Sequence, residues 1–318
     1  MTHAGARSEL GRVGIWTFAF DGRPAGLVRE AAAEIEELGY GAIWYGEAFG
    51  RDTVGQAWLL LSATRRLTVA SGIASIERRD PVATASAACT LGEAFPGRYV
   101  LGLGGHRVDT TVQLADEGQG SGREGKGLRR GGPAAAMRAY LDAMDAAPVG
   151  SPAGDPAPRR LLAALGPRML ELAATRAGGA HPYFVPVEHT VRAREITGPD
   201  AFLGVEQAVV LDTDLARARE VAAAHVGFYV DAAPHQQASL RRLGFGDADL
   251  TGGPNGGPSR RLVDAIVAYG DEETIRRRVR EHLDAGADHV CLQVLTADPD
   301  ALPDREWREL APVLLPQG

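Results

Sequence analysis

Apolar and polar positions along this chain fall into blocks that switch between two periods. Residues 13–18 form a short apolar run with strand character. Residues 24–38 then place Leu27, Ala31, Ile35 and Leu38 on one helical stripe, closed by Gly39. The same alternation continues. Strands are expected at 42–45, 66–75, 98–104, 161–164, 179–184, 203–211 and 288–295. The third of the eight is apolar enough to be buried on both faces. Helices are expected at 52–63, 259–269 and 272–285, and another opens at Asp80-Pro81, with the carboxylate as cap and proline in the first turn.

Eight strands alternating with helices predict an α/β fold, a (β/α)8 TIM barrel, with a doubly wound open sheet as the alternative. Residues 1–318 read as one domain whose first ten residues are a flexible tail. Two stretches break the rhythm. Residues 106–132 are rich in glycine, and residues 227–258 end in "TGGPNGGP". Both are expected to be insertion loops. They either fold over the C-terminal face of the barrel or are solvated loops without a role. The proline-rich residues 147–159 read as a surface connector.

Composition narrows the function classes. The net charge is −7, from 34 basic and 41 acidic residues, which argues against a nucleic-acid or anionic-membrane surface. Lys126 is the one lysine in a chain rich in Ala, Gly and Arg, a codon signature of a GC-rich genome. The two cysteines, Cys89 and Cys291, lack metal-type spacing and suit a reducing compartment. The first residues carry no signal-peptide core, and no run reaches membrane-spanning length. A cytoplasmic protein that acts on a small molecule is the expectation.

Barrel sites gather at the C-terminal ends of the strands. Those ends deliver Trp16, Thr17 and Phe18, then Gly46 and Glu47, then Gly72 and Ile73. They continue with Gly104, Gly105 and His106, then Gly166, Pro167 and Arg168, then His181 and Tyr183, and finally Glu206, Gln207 and Gln293. The mouth is aromatic and glycine-lined with few charges, which suits a flat ring. No HExxH, GxSxG or P-loop motif is present, and no metal site is expected. Gly166-Pro167 opens a helix without a Ser, Thr or Asp cap, so the amides of Arg168, Met169 and Leu170 and the helix dipole offer an anion site. Water capping is the alternative. Glu47 either bonds a ligand or pairs with Arg51. His181 either meets a substrate or bonds the backbone. His225 and His282 read as structural, and Glu206 as a salt-bridge partner.

The blocks "LGRVGIWTF", "EAAAEIEELGYGAIWYGEAFGRD", "DPVATASAACTLGEAFPGRYVLGLG", "LAALGPRMLELAATRAGGAHPYFV" and "HLDAGADHVCLQVL" together resemble the bacterial luciferase-like monooxygenase superfamily. Within it they are similar to the branch of coenzyme F420-dependent oxidoreductases. The resemblance spans about residues 10–295. It implies a ring cofactor, F420 or alternatively FMN, in the barrel centre. It also implies a non-proline cis peptide at Gly72-Ile73 under the ring and an acidic position at Glu47. Cofactor contacts would come from Gly72, Ile73, Gly104, Gly105, Gly166, Pro167, Arg168 and Met169. His181, Glu47 and His106 are the acid–base candidates. A histidine often found after the acidic position is Ala48 here. The resemblance further implies a homodimer. Three activities remain open: F420-dependent hydride transfer to or from a small organic substrate, an FMN-dependent monooxygenase using reduced flavin and O2, and a deazaflavin-binding protein without turnover.

Overall fold

Short, almost wholly buried apolar runs form the parallel strands of a closed barrel in the computed structural model, which describes residues 10–48, 50–105, 132–152, 154–298 and 301–316. The strands in chain order are β1 (Val13–Thr17), β2 (Ala42–Tyr45), β3 (Thr68–Ser71), β4 (Ala74–Ser75), β5 (Tyr99–Gly104), β6 (Arg159–Leu162), β7 (Gly179–Ala180), β8 (Phe202–Leu211), β9 (Ala268–Gly270) and β10 (His289–Val294). Each barrel strand pairs with the next, and β10 closes the ring by pairing with both β8 and β1. Trp16 lies opposite Gln293, and Glu206 opposite Cys291. The open-sheet alternative is thereby excluded, and the fold is a (β/α)8 barrel.

Helices α1 (Ala25–Glu37), α2 (Thr53–Ala63), α3 (Pro81–Ala94), α4 (Pro133–Asp145), α5 (Pro167–Arg176) and α6 (Val187–Thr197) surround the strands. Their starts follow the sequence signals. Asp52 accepts the Gly55 N–H, and Asp80 accepts those of Val82 and Ala83, so side chains satisfy amides that the helix cannot. Between helices and strands lies the main core, which includes Val28, Ile35, Leu60, Val69 and Leu203. Inside the barrel, Trp16, Ala42, Trp44, Val100, Leu161, Phe202 and Cys291 fill the space. Leu10, counted with the tail in the sequence reading, is buried with this inner group.

Three expected elements change. Strand three breaks at Gly72-Ile73, which is a non-proline cis peptide, and resumes as β4 beside β5. Strand six stops after Ala180, because Pro182 brings no N–H to a ladder and Phe184 has φ 58°. The helix expected through residue 269 ends at Ile266, as α10 (Arg260–Ile266). The next residues form β9 against the upper half of β8, whose ten residues outreach the other strands and leave an edge to be paired.

Residues 227–258 are largely helical and not a loop. They hold the end of α7 (Leu215–Ala232), then α8 (Pro234–Arg242), α9 (Asp247–Thr251) and a 3-10 turn (Pro254–Gly256). Ala218, Ala222, Val226 and Val230 recur every four residues along α7 and are buried. With Phe184, Val210, Leu240, Phe245 and Leu262 they build a second core on top of β8. Helices α11 (Glu272–Asp284) and α12 (Asp304–Leu314) complete the outer layer. The expected insertion at 106–132 lies outside the described residues except for Gly132, and so does the tail before Leu10. No helix among the described residues is long and apolar enough to cross a membrane.

Candidate active site

The floor of the barrel mouth is built by Trp16 at the end of β1, Gly72 after β3 and His181 after β7. The ring of His181 stacks on Trp44, with centroids 4.5 Å apart and planes 20° apart. Its Nδ1 lies 2.9 Å from the Gly204 carbonyl oxygen. A carbonyl only accepts, so Nδ1 carries the proton and Nε2 is left as an acceptor. Burial pulls the ring's pKa down to about 4, opposed by the bond to Gly204, with the nearby His289 lowering it further. His181 is therefore neutral at pH 7. Its Nε2 has no hydrogen-bond partner, and neither has the Trp16 Nε1–H donor, although both atoms are buried. The two nitrogens meet the same point of backbone. A Cβ on Gly72 would sit 2.6 Å from Trp16 Nε1 and 3.0 Å from His181 Nε2.

Glu47 is held beneath the bulge. Its backbone N–H donates to the Ile73 carbonyl at 3.2 Å, and its carboxylate accepts the Ser75 N–H at 2.8 Å. The second oxygen faces Arg79 at 3.4 Å, and Arg79 also pairs with Asp52. Glu47 thus holds the segment that follows the Gly72-Ile73 bond, from Ile73 to Ser75. Arg51, the partner considered from sequence, turns instead to the Phe20 and Arg23 carbonyls. Ile73 sends its side chain away from the floor toward β5, where a Cβ on Gly104 would meet its Cδ1 at 2.6 Å. Gly104 is accordingly a packing glycine, while Gly105 beyond it is exposed. His106 lies outside the described residues.

The turn after β7 carries the remaining polar groups. Tyr183 donates to Gln293 Oε1 at 2.7 Å and stands 2.6 Å from the Tyr229 hydroxyl of α7. Since the Tyr183 proton is committed to Gln293, Tyr229 donates to Tyr183. Gln236 of α8 donates to the Tyr183 carbonyl at 3.1 Å. The insertion helices thus reach the barrel interior through two hydrogen bonds. Glu206 has no salt-bridge partner among the described residues, contrary to the sequence expectation; it accepts the Phe184 N–H at 2.9 Å. Gln207, placed in the mouth by sequence, points outward and accepts from His282 Nε2 at 2.9 Å. His282 is structural, as expected, with Thr190 on its other nitrogen. Strand alternation explains the split, because Glu206 and Gln207 necessarily face opposite sides of β8.

At the start of α5 the cap is Gly166, with no side-chain hydrogen bond, and Pro167 occupies the first turn. The amides of Met169 and Leu170 already donate to the Gly166 carbonyl, at 3.1 and 3.0 Å. The open set is therefore smaller than expected: Pro167 has no N–H, and the Arg168 amide is the group left for an outside acceptor. A second cation stands there that the sequence did not suggest. A Cβ on Gly166 would lie 3.7 Å from Nη2 of Arg242, carried by α8. Met169 packs on the main core. Trp44 and Arg242 are the members of this site that spacing could not reveal, since each acts through a residue remote in the chain. Among the described residues no cluster of His, Cys, Asp or Glu could hold a metal ion.

The profile of the luciferase-like monooxygenases matches residues 12–289, which takes in this site except Gln293. The chain belongs to that family. A stretch of 75 residues is 33% identical to a Mycobacterium tuberculosis protein whose name assigns it provisionally to the coenzyme F420-dependent oxidoreductases. That stretch covers 24% of this chain and only 22% of the relative's length. Among solved structures, coenzyme F420-dependent tetrahydromethanopterin reductase from Methanopyrus kandleri is 17% identical, with a TM-score of 0.71 over 94% of this chain and 97% of that one. The oxygenating constituent of 3,6-diketocamphane monooxygenase from Pseudomonas putida, in complex with FMN, is 13% identical, with a TM-score of 0.67 over 94% and 95%. Identities this low establish a shared barrel. Members of the family are oxidoreductases and monooxygenases.

Proposed function

We propose that this chain binds coenzyme F420 in the barrel mouth and transfers hydride between it and a small organic carbonyl, alcohol or enone. The observation that carries the reading is the pair of buried, unpartnered nitrogens on the mouth floor, one donor and one acceptor, beside the Gly72-Ile73 break. A flat heterocycle with N–H and C=O groups along its edge satisfies both; a hydrocarbon ligand satisfies neither. The open start of α5, with Arg168 and Arg242, suits the anionic end of the same molecule. When bound, F420 supplies hydride exchange at ring carbon 5.

The chain's own residues divide the remaining work. His181, neutral and locked by Gly204 and Trp44, accepts a hydrogen bond at Nε2 and orients its partner. Trp16 donates beside it. Glu47 fixes the bulge on which the ring would rest. Tyr183, tied to Gln293 and Tyr229, presents a hydroxyl at the rim of the floor. A protonating group is still required for net reduction of a carbonyl. Of the three acid–base candidates, His181 offers an acceptor and no proton at Nε2, Glu47 is engaged by the Ser75 N–H and Arg79, and His106 lies outside the described residues, so the proton donor is left to Glu47, His106 or the substrate's own surroundings.

The second reading, an FMN-dependent monooxygenase, draws support from the FMN-bound structural neighbour, since the same floor accepts an isoalloxazine edge. The two cations at α5 favour F420, whose phosphate bears a further acidic tail. Titration of the purified protein with F420 and, separately, with FMN, read by fluorescence, tests the choice. Tighter F420 binding supports hydride transfer; preference for FMN replaces it with oxygen chemistry. F420 binding unaccompanied by turnover on any carbonyl or alcohol would favour a carrier protein. We also propose a homodimer in the cytoplasm. Its apolar contact would include the exposed Trp58 and Val82 of α2 and α3, and the two unpaired cysteines suit a reducing compartment.

A further inference from the structure

Glu206 is a fully enclosed ionisable group inside the barrel that the hydride-transfer reading leaves without a task. It lies on β8 with its side chain on the inner face, as do Phe202 and Gly204. One carboxyl oxygen accepts the Phe184 N–H at 2.9 Å, and the other has no partner. The Glu206 backbone N–H donates to the Pro182 carbonyl at 3.0 Å. Two residues earlier on the same face, the Gly204 carbonyl holds His181. Two alternate residues of β8, Gly204 and Glu206, therefore hold the turn 181–184 at His181, Pro182 and Phe184.

We propose that Glu206 is a positioning residue, which holds Phe184 and through it sets where His181 and Tyr183 present their polar atoms to a ligand in the mouth. Phe184 has φ 58°, in the left-handed region that bulky residues avoid, so its conformation has to be imposed from outside. The imposing contacts are the Glu206 carboxyl on its N–H and the second core around its ring. Trp16 packs on Tyr183 with ring centroids 5.0 Å apart, so a displaced turn also disturbs the donor side of the floor.

The charge state of Glu206 gives this role a signature. The groups facing it are Tyr183 from the turn, Tyr229 from α7 and Cys291 from β10, none of them cationic. Burial pushes its carboxyl up to about 8, offset in part by the Phe184 N–H. Neutral Glu206 is compatible with its enclosed site. Ionised Glu206 is an unpaired buried anion, which is relieved by admitting water or by loosening the turn.

The inference rests on the reading that the mouth binds a ring cofactor, but one of its tests does not. Thermal unfolding of the whole chain without cofactor is measured from pH 5 to 9 for wild type, Glu206→Gln and Glu206→Leu. Native Glu206 keeps a proton that the unfolded chain loses above its ordinary pKa. Wild type should therefore lose stability relative to Glu206→Gln as pH rises to about 8, then level off. Parallel curves overturn the neutral-acid state. F420 binding is then titrated at pH 6.5 and pH 9, with FMN as a second probe. Wild-type affinity should fall about tenfold between the two, and that of Glu206→Gln, which keeps an acceptor for Phe184, by less than twofold. Glu206→Leu, which removes the acceptor at similar size, should bind at least tenfold more weakly at pH 6.5. Equal pH dependence in wild type and Glu206→Gln, or wild-type affinity in Glu206→Leu, overturns the positioning role. If Glu206→Leu does not fold, the Gln comparison decides. If neither probe binds wild type at any pH, the function reading fails and the unfolding curves still judge Glu206.

Discussion

His181 lies flat against Trp44, 4.5 Å between ring centroids, while its Nδ1 is spent on the Gly204 carbonyl. Stacking fixes the plane of the imidazole, and the carbonyl fixes its tautomer. What remains is a single unused function, a buried acceptor at Nε2. Under the proposed reading that makes His181 an orienting group. Replacing it with alanine should weaken F420 binding about tenfold, the worth of one neutral hydrogen bond of roughly 1–1.5 kcal/mol. The cavity left on Trp44 should also cost stability. Glutamine, which can offer an acceptor, should restore part of the affinity. Fluorescence titration of the three proteins checks this, and unchanged affinity in His181→Ala would remove the residue from the site.

Gly72 is required by its neighbours. A methyl group there would press on Trp16 Nε1 and His181 Nε2, neither of which can retreat, because Trp16 packs on Phe18 and Tyr183 and His181 on Trp44. Gly72→Ala should lose about 1–3 kcal/mol of stability, as for other overpacked interiors. Ring binding should fall with it. Gly97→Ala, at a half-buried turn of positive φ with open space around the position of a Cβ, is the control for a plain backbone penalty. The contrast to measure is in cofactor affinity, which the control should leave unchanged.

Much of this site was legible from the chain because the barrel rule converts strand ends into neighbours. Trp16, Gly72 and His181 lie more than fifty residues apart in sequence, and the strand assignment alone brought them to one mouth. Errors arose where tertiary partners override local signals. For Glu47 the sequence offers a ligand or Arg51 as partner, because nothing in "AIWYGE" announces Arg79 or the Ser75 amide. The turn-rich composition near residue 255 hid the continuation of α7 past residue 227 and the short helices that follow it. Residues 268–270 became a strand only because β8 extends far enough to pair with them. Arg242 was out of reach for any pattern, since α8 must first be folded over the start of α5.

Under the proposed reading, Arg168 at the start of α5 and Arg242 of α8 would act on the same anion. The helix start has one amide to give, that of Arg168, so most of the attraction has to come from side chains. Arg168→Ala and Arg242→Ala should each weaken F420 binding several-fold, and the double variant by at least about tenfold. Both side chains are exposed, so the effect should shrink as salt rises from about 0.05 to 0.5 M. Titrations at the two salt levels decide whether the site is ionic. FMN binding should respond less, because it presents one phosphate and no acidic tail. Loss of F420 affinity that does not depend on salt would point to a packing role instead.

The pH dependence of stability has two opposing sources whose signs can be worked out. Burial holds His181, His225 and His289 down to about 4 and His282 to about 3. Between these values and the ordinary histidine pKa near 6.5, the unfolded chain takes up protons that the folded chain refuses. Folding stability therefore falls as pH drops from about 6.5 toward 4. Glu206 works the other way, because its folded pKa is raised: stability is lost as pH climbs from its ordinary value toward about 8. Four histidines outweigh one carboxyl below pH 6.5, and above it the carboxyl acts with little opposition from them. The unfolding temperature should thus peak near pH 6.5, falling steeply on the acid side and gently on the alkaline side. Scanning calorimetry from pH 4.5 to 9 gives the curve. His282→Asn, which keeps polar partners for Thr190 and Gln207, should flatten the acid limb and leave the alkaline one unchanged. An alkaline limb that persists unchanged in Glu206→Gln would assign it to another group.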